Sequence, residues 1–431
     1  MKISIISAAL LVTAGQWVFA LPTTQTANVA VVGSGSDIAN VTTVDNDSGV
    51  TDATVVGSDP DAANATAPTP SLNGWAPQFS PVFPNLNVSK DALSEFNNGT
   101  LNLNASLSRD TLDTKKYPEA WKSPDPKHPE VQAAIKQIKW DFVPKYNVHK
   151  VKNYDLVFDG YDEDADSDCW WSASMCTKPK VKYLPPDLYT CPTKGDWGLS
   201  YDDGPFNLLD KDDDDAETEN LYAEPALYNY LAKEDLKATL FYIGSNVMTY
   251  PAAARRALSD GHTLCSHTWS HPPMTTQTNE QAVAELYWTL KAIKEATGIT
   301  PKCWRPPQGD VDDRIRAIAH QMGMRTVLWD HDTNDWAMPA PGGGDLKPKI
   351  VDGYFKKWTE TEKEGKEEHG VLVLEHELNH ATVNMTMKWL PTVKETFNVV
   401  SAMSCNNVLQ PYWEDGFKYP AIHNTTNSTF A

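Results

Sequence analysis

Beyond its first twenty residues the 431-residue chain has no apolar run approaching eighteen residues, so nothing later in it reads as a membrane-spanning helix. Its last stretch, His423 to Ala431, lacks the hydrophobic tail that a glycosylphosphatidylinositol signal requires. Cations are scarce. The 37 Lys and Arg stand against 57 Asp and Glu, and a formal charge of −20 argues against nucleic acid or an anionic membrane surface as partner. Part of that charge lies in two runs, Asp162 to Asp168 and Asp210 to Asp215, that read as solvated loops. No His-Glu-x-x-His occurs, which disfavours a zincin protease.

Lys2, the apolar segment Ile3 to Val12 and the small residue ending Val18-Phe19-Ala20 fit a secretory signal peptide, residues 1–20, cleaved after Ala20. Sequons at Asn40, Asn46, Asn64, Asn87, Asn98, Asn104, Asn384, Asn424 and Asn427 fit the same route. The expectation is a secreted glycoprotein, extracellular or in the cell wall and without membrane insertion. Six cysteines are few but even in number, so disulfides are favoured over metal thiolates, and sequence does not choose among their fifteen pairings. The expected pairs are Cys169 with Cys176, a local loop, and Cys191 with Cys405, tying the start of the last region to its end. Cys265 and Cys303 are either a third pair or two buried thiols.

Residues 21–114 are rich in Ser, Thr, Asn, Asp and Pro without sustained periodicity, and read as a disordered glycosylated leader. Residues 115–190 read as a packing subdomain in which Trp170-Trp171 is core or, less favoured, a sugar platform. From 191 to 405 strand-like and helix-like segments alternate, with strands expected at 197–201, 238–243, 262–266, 303–305, 326–330, 370–374 and 399–403. Helices fall between them at 221–235, 250–259, 279–297, 311–323, 346–362 and 385–397, and 406–431 is left as a tail. The fold class is α/β, a distorted or incomplete (β/α) barrel of about seven parallel strands, with chemistry where strands end.

Polar residues collect at those ends. Trp197 to Tyr201 delivers Asp202-Asp203 before Gly204-Pro205, and two adjacent carboxylates in a poorly solvated site call for a cation. His267 and His271, four apart, can face one way in a single helical turn before Pro272-Pro273. With one carboxylate they form a His₂Asp set suited to Zn²⁺ or a similar divalent ion. Arg305-Pro-Pro-Gln308-Gly309 closes the next strand, Asp330-His-Asp332-Thr-Asn-Asp335-Trp336 follows another, and Leu374-Glu-His376 ends the last of these.

These five segments, in this order, resemble the NodB-type polysaccharide deacetylases, carbohydrate esterase family 4, and with Asp168-Cys-Trp-Trp171 and Ser266-His-Thr-Trp-Ser-His271 they look like the fungal chitin deacetylases. The resemblance implies a metal-dependent hydrolase that removes N-acetyl groups from β-1,4-linked N-acetylglucosamine, giving chitosan and acetate. The alternatives are a deacetylase or esterase of another glycan, such as xylan or peptidoglycan, and a non-catalytic chitin-binding wall protein. It further implies Asp203, His267 and His271 as ligands of Zn²⁺ or Co²⁺, with Mn²⁺ also accommodated, and Asp202 as general base steadied by Arg305. His376 would be the general acid, Asp332 the group orienting it, and Trp336 and Leu374 the lining of an acetyl pocket. The backbone N–H of Gln308, where the family usually has Tyr, would complete an oxyanion site. The expected partner is chitin or its oligosaccharides, met by a monomer.

Overall fold

The computed structural model describes residues 74–96, 106–152, 155–207, 226–340 and 342–423. The signal peptide, the acidic run 210–215 and the sequons at Asn40, Asn46, Asn64, Asn98, Asn104, Asn424 and Asn427 lie outside the described residues. Asn87 and Asn384 are both exposed.

A short antiparallel hairpin, β1 (Lys150–Lys152) with β2 (Asp155–Val157), precedes the main sheet. The sheet is wholly parallel and contains β3 (Asp196–Asp202), β4 (Thr239–Tyr242), β5 (Thr263–Ser266), β6 (Cys303–Trp304), β7 (Arg325–Thr326), β8 (His331–Asp332), β9 (Val371–His376) and β10 (Asn398–Ser401). Strand β3 is its axis: every residue is buried, as a run flanked on both faces by packed elements must be. It pairs with β9 along one edge. Its other edge is shared, residues 196–199 by β10 and residues 200–202 by β4. β7 and β8 belong to one extended segment that pairs with β6 at its start and with β9 at its end. That double pairing curls the sheet into the distorted barrel of about seven strands, with β7 and β8 counted as one.

Where the sequence carries unambiguous start and stop residues, the helices fall where expected. The helix Asn279–Thr297 begins with a capping box between Thr278 and Gln281 and ends at Gly298 in the left-handed conformation. The expected helix at 250–259 is preceded by a further short one, Gly244–Thr249. The last strand is shorter than 399–403, because Ser401 caps the helix Ala402–Cys405. All three disulfides form, Cys169–Cys176, Cys191–Cys405 and Cys265–Cys303, so the pair left open bridges neighbouring strands β5 and β6.

The boundaries at 114, 190 and 405 do not divide the described residues, which share one core. Leu112, Tyr117, Val131, Ile138 and Leu184 pack in the same cluster as barrel residues Leu199, Leu240 and Val373. Part of the expected leader is laid on the barrel by backbone bonds that a composition reading does not register: the Ala76 amide donates to the Tyr183 carbonyl and the Phe79 amide to that of Gln321. At the other end Tyr412 and Tyr419 are buried, the first accepting from the Leu264 amide and the second donating to the His262 carbonyl. Trp170 is fully buried and donates from Nε1 to Asp310 (2.7 Å), and Trp171 is buried beneath Gly309, so this pair is core rather than platform. Asp166 departs from the solvated-loop reading: it is buried and accepts from the Tyr161 hydroxyl and the Trp170 amide.

Candidate active site

Side chains on one strand alternate between faces, and residues paired across parallel strands share a face. Ser200 and Asp202 therefore point the same way on β3, and their register partners Leu374 and His376 point the same way on β9. Asp332 joins them through its pairing with Leu374. One face of three strands thus delivers four of the expected residues, Asp202, Asp332, Leu374 and His376, to the carboxyl ends of the sheet.

Arg305, fully buried just after β6, organises the floor. Its Nη1 donates to Asp202 Oδ1 (2.7 Å) and Ser200 Oγ (3.0 Å), Nη2 to the Leu328 carbonyl (3.1 Å) and Nε to that of Val327 (3.4 Å). The guanidinium lies 4.0 Å from the Phe241 ring centroid. Burial opposes the charge on Arg305, and the Asp202 carboxylate offsets part of that penalty. The effect on Asp202 is to engage Oδ1 and leave Oδ2 facing the site.

Asp203 sits one residue beyond, with φ of +78°, a left-handed backbone that turns its side chain away from that of Asp202. Asn246 holds the turn by donating from Nδ2 to the Asp203 carbonyl (2.7 Å). Gly204 then passes so close to Glu377 that a Cβ would meet Oε1 at 1.6 Å, which explains why the doublet is followed by glycine.

The two histidines do not share a helical turn. Residues 267–273 are irregular, with Thr268 at φ +68° and His271 at φ +60°. Helical spacing is replaced by a buried carboxylate on the neighbouring helix: Glu285 Oε2 accepts from the amides of Trp269 (2.9 Å) and Ser270 (2.8 Å), and Oε1 from the Ser270 hydroxyl (2.6 Å). The result brings both imidazoles to Asp203 Oδ1, His267 Nε2 at 3.5 Å and His271 Nε2 at 3.3 Å.

Whether these three groups fit a cation follows from their lone pairs. The Arg305 carbonyl can only accept, so the 2.8 Å contact from His267 Nδ1 places the ring proton there and presents Nε2 as a lone pair. Asp203 Oδ1, buried, accepts no hydrogen bond. Burial pushes the His271 imidazole down to about 4, against the pull of Asp203, so its ring is neutral. A buried carboxylate oxygen faced by two imidazole nitrogens is a ligand set for a divalent ion. Asp166 with Cys169 and Cys176 also cluster, but those sulfurs are joined to each other.

His376 ends β9 abreast of Asp202. Its Nδ1 donates to Asp335 Oδ1 (2.7 Å), and its own amide donates to Asp335 Oδ2 (3.0 Å). Burial opposes its charge, but Asp335 and then Asp203 and Asp202 outweigh that and push the imidazole up to about 10. The orienting carboxylate is therefore Asp335 and not Asp332. After β8 the chain turns through Asn334 at φ +50° into the short helix Asp335–Ala337, which carries Asp335 to the histidine. Asp332 Oδ1 instead accepts the Asn334 amide (2.8 Å) within its own turn. The motif's three carboxylates offered Asp335 as a candidate, and only the turn at Asn334 selects it. Glu285 had a fainter trace, a lone carboxylate inside an otherwise apolar stripe of a long helix.

Gln308 has φ of +58° and an exposed side chain, so this position contributes backbone, and Gly309 after it is required because a Cβ there would meet the Trp171 ring at 2.2 Å. Leu374 is buried and Trp336 half-buried. Among the described residues no helix is long and apolar enough to cross a membrane.

Residues 190–327 match the polysaccharide deacetylase family. The chain is 37% identical over 325 residues to a chitin deacetylase of Amylomyces rouxii, an alignment covering 74% of this chain and 72% of that protein. It is 40% identical over 258 residues to chitin deacetylase 2 of Cryptococcus neoformans, covering 59% of this chain and 53% of that protein, so it spans about half of this second relative. Among solved structures it is similar to the chitin deacetylase of Colletotrichum lindemuthianum, at 24% identity and a TM-score of 0.44, over 57% of this chain and 99% of that one.

Proposed function

Because the chain belongs to the polysaccharide deacetylase family, we propose that it is a chitin deacetylase, converting β-1,4-linked N-acetylglucosamine units to glucosamine with release of acetate. The observation that carries this reading is the division of the carboxylate doublet, Asp202 held by Arg305 and Asp203 turned toward the imidazoles of His267 and His271.

Asp203, His267 and His271 would hold the divalent ion, Zn²⁺ or Co²⁺ with Mn²⁺ accommodated by the same donors. When bound, such an ion supplies Lewis-acid chemistry, acidifying a water and polarising the acetyl carbonyl. Asp202, with Oδ2 open to the site, takes the proton of the attacking water. Arg305 fixes the angle of that carboxylate through Oδ1. The Gln308 amide, presented by its left-handed backbone, steadies the oxygen that gains charge as water adds to the carbonyl carbon. His376 is protonated at neutral pH because Asp335 favours the imidazolium, and it gives its Nε2 proton to the glucosamine nitrogen as the C–N bond breaks. Leu374 and Trp336 offer an apolar wall for the acetyl methyl. The apolar stretch at residues 3–12, the three disulfides and the exposed Asn87 sequon support passage through the secretory pathway to the cell exterior or wall.

The test compares acetate release from chitin oligomers, acetylxylan and peptidoglycan fragments, with product masses read before and after chelation and after return of single metals. Activity on chitin oligomers that chelation abolishes and one metal restores is expected. Activity confined to another glycan would replace the substrate, and chitin binding without acetate release would make this a wall-binding protein.

A further inference from the structure

Residues 117–121 lie outside the segment matched by the family and are fastened to the loop that carries His267 and His271. The Tyr117 ring stacks on Trp269 with centroids 5.8 Å apart and planes within 2°. Trp269 Nε1 donates to the Glu119 carbonyl (3.2 Å). The Trp121 amide donates to Ser245 Oγ (2.9 Å), and that hydroxyl donates to the Trp269 carbonyl (2.6 Å), two residues before His271. Ser245 lies in the first turn of the helix after β4, so the run lies at the carboxyl end of the sheet, where the candidate cation ligands are.

At the end of this anchored run Trp121 adopts φ of +62°, an outlier for a bulky side chain, and its side chain is 49% exposed, more than any other tryptophan among the described residues. A strained backbone that is fixed by specific bonds yet leaves a large aromatic in water is not explained by packing. Glu119 and Lys122, on either side of Trp121, line a cleft of about 580 Å³ together with Lys115, Ser123 and Trp288, within the size range of ligand sites. The cleft mixes donors and acceptors without a strong excess of either charge, suiting hydroxyl and acetamide groups better than an ion.

We propose that Trp121 is a stacking platform for a sugar ring of the chitin chain some units away from the one being deacetylated, with the adjoining cleft taking the chain beyond it. The proposal rests on the chitin reading above. The apolar C–H face of a pyranose packs on an indole, and an aromatic already rigid before binding loses little freedom on contact. Long substrates then gain affinity that short ones do not.

The experiment measures kcat/KM of wild type, W121A and W121F on the dimer and the hexamer of N-acetylglucosamine, together with retention of chelator-treated protein on insoluble chitin. In W121A the hexamer-to-dimer ratio of kcat/KM should fall about five- to tenfold, roughly the worth of one aromatic contact, and chitin retention should fall with it. W121F should recover most of both. A ratio unchanged in W121A while wild type acts on both oligomers overturns the platform and leaves the deacetylase reading standing, as does an equal loss on dimer and hexamer. Wild type that releases no acetate from either oligomer overturns both.

Discussion

His271, half-buried in the loop after β5, and His376, buried at the end of β9, face the same carboxylates, yet they are pushed in opposite directions, the first down to about 4 and the second up to about 10. Burial acts alike on both, disfavouring the charged ring. The difference lies in the partner. His376 donates to Asp335 at 2.7 Å along a hydrogen bond that needs its proton, whereas His271 meets Asp203 at 3.3 Å with His267 crowding in beside it. Two copies of one side chain, set around the same carboxylates, are thereby prepared for opposite tasks, one to offer a lone pair and the other to offer a proton.

The sharpest way to break this division is at the group both sides share. Asp202→Asn keeps the size of the side chain but removes the proton acceptor, and acetate release should fall by about a thousandfold, while equilibrium dialysis shows the divalent ion still bound. Loss of metal together with activity would mean that Asp202 is a ligand and the doublet is not divided.

A smaller effect is expected on the acid side. Asp335→Asn should lower kcat by roughly 10- to 100-fold and move the alkaline limb of the pH profile toward acid. The sign follows from the raised value: His376 stays protonated up to about 10 because of Asp335, so removing that charge lets it lose its proton earlier. The same pair contributes stability that is whole below the unfolded histidine value, about 6.5, and is lost as pH rises through about 10. Asp332→Asn should leave the limb in place, and a limb that shifts with Asp332 rather than Asp335 would reverse the assignment.

The smallest effect is expected on the ligand side, at a distance from the ion. Glu285→Gln keeps one acceptor for the Trp269 and Ser270 amides, and Glu285→Ala keeps none. Metal affinity measured by calorimetry should drop about tenfold in the alanine variant and less in the glutamine variant. Equal affinity in all three would show that the loop holds its shape without the carboxylate.

These cases also mark how far the sequence reaches. Strand ends are legible because apolar runs stop abruptly at Asp202, Arg305 and His376, and the barrel follows from their alternation with helices. Cys191–Cys405 was legible because the two residues bracket the alternating region. What stays hidden depends on single backbone torsions or on contacts between distant segments. The left-handed turn at Asn334 decides between Asp332 and Asp335. Two left-handed residues, held by a carboxylate on the following helix, replace the helical turn expected for the His pair. The Pro- and Asn-rich stretch from residue 74 carries no periodicity because backbone amides and carbonyls, not an apolar face, hold it down.

Cys191 and Cys405 enclose 214 positions of sequence, nearly the whole of the barrel. Covalently the catalytic region is a ring rather than a line. A protease that cuts any one exposed loop within it opens the ring without separating the pieces, and in chain-entropy terms the closure restrains the unfolded state by about 5 kcal/mol. Nicked in this way the chain remains one molecule, the two halves of its candidate active site still tethered to each other.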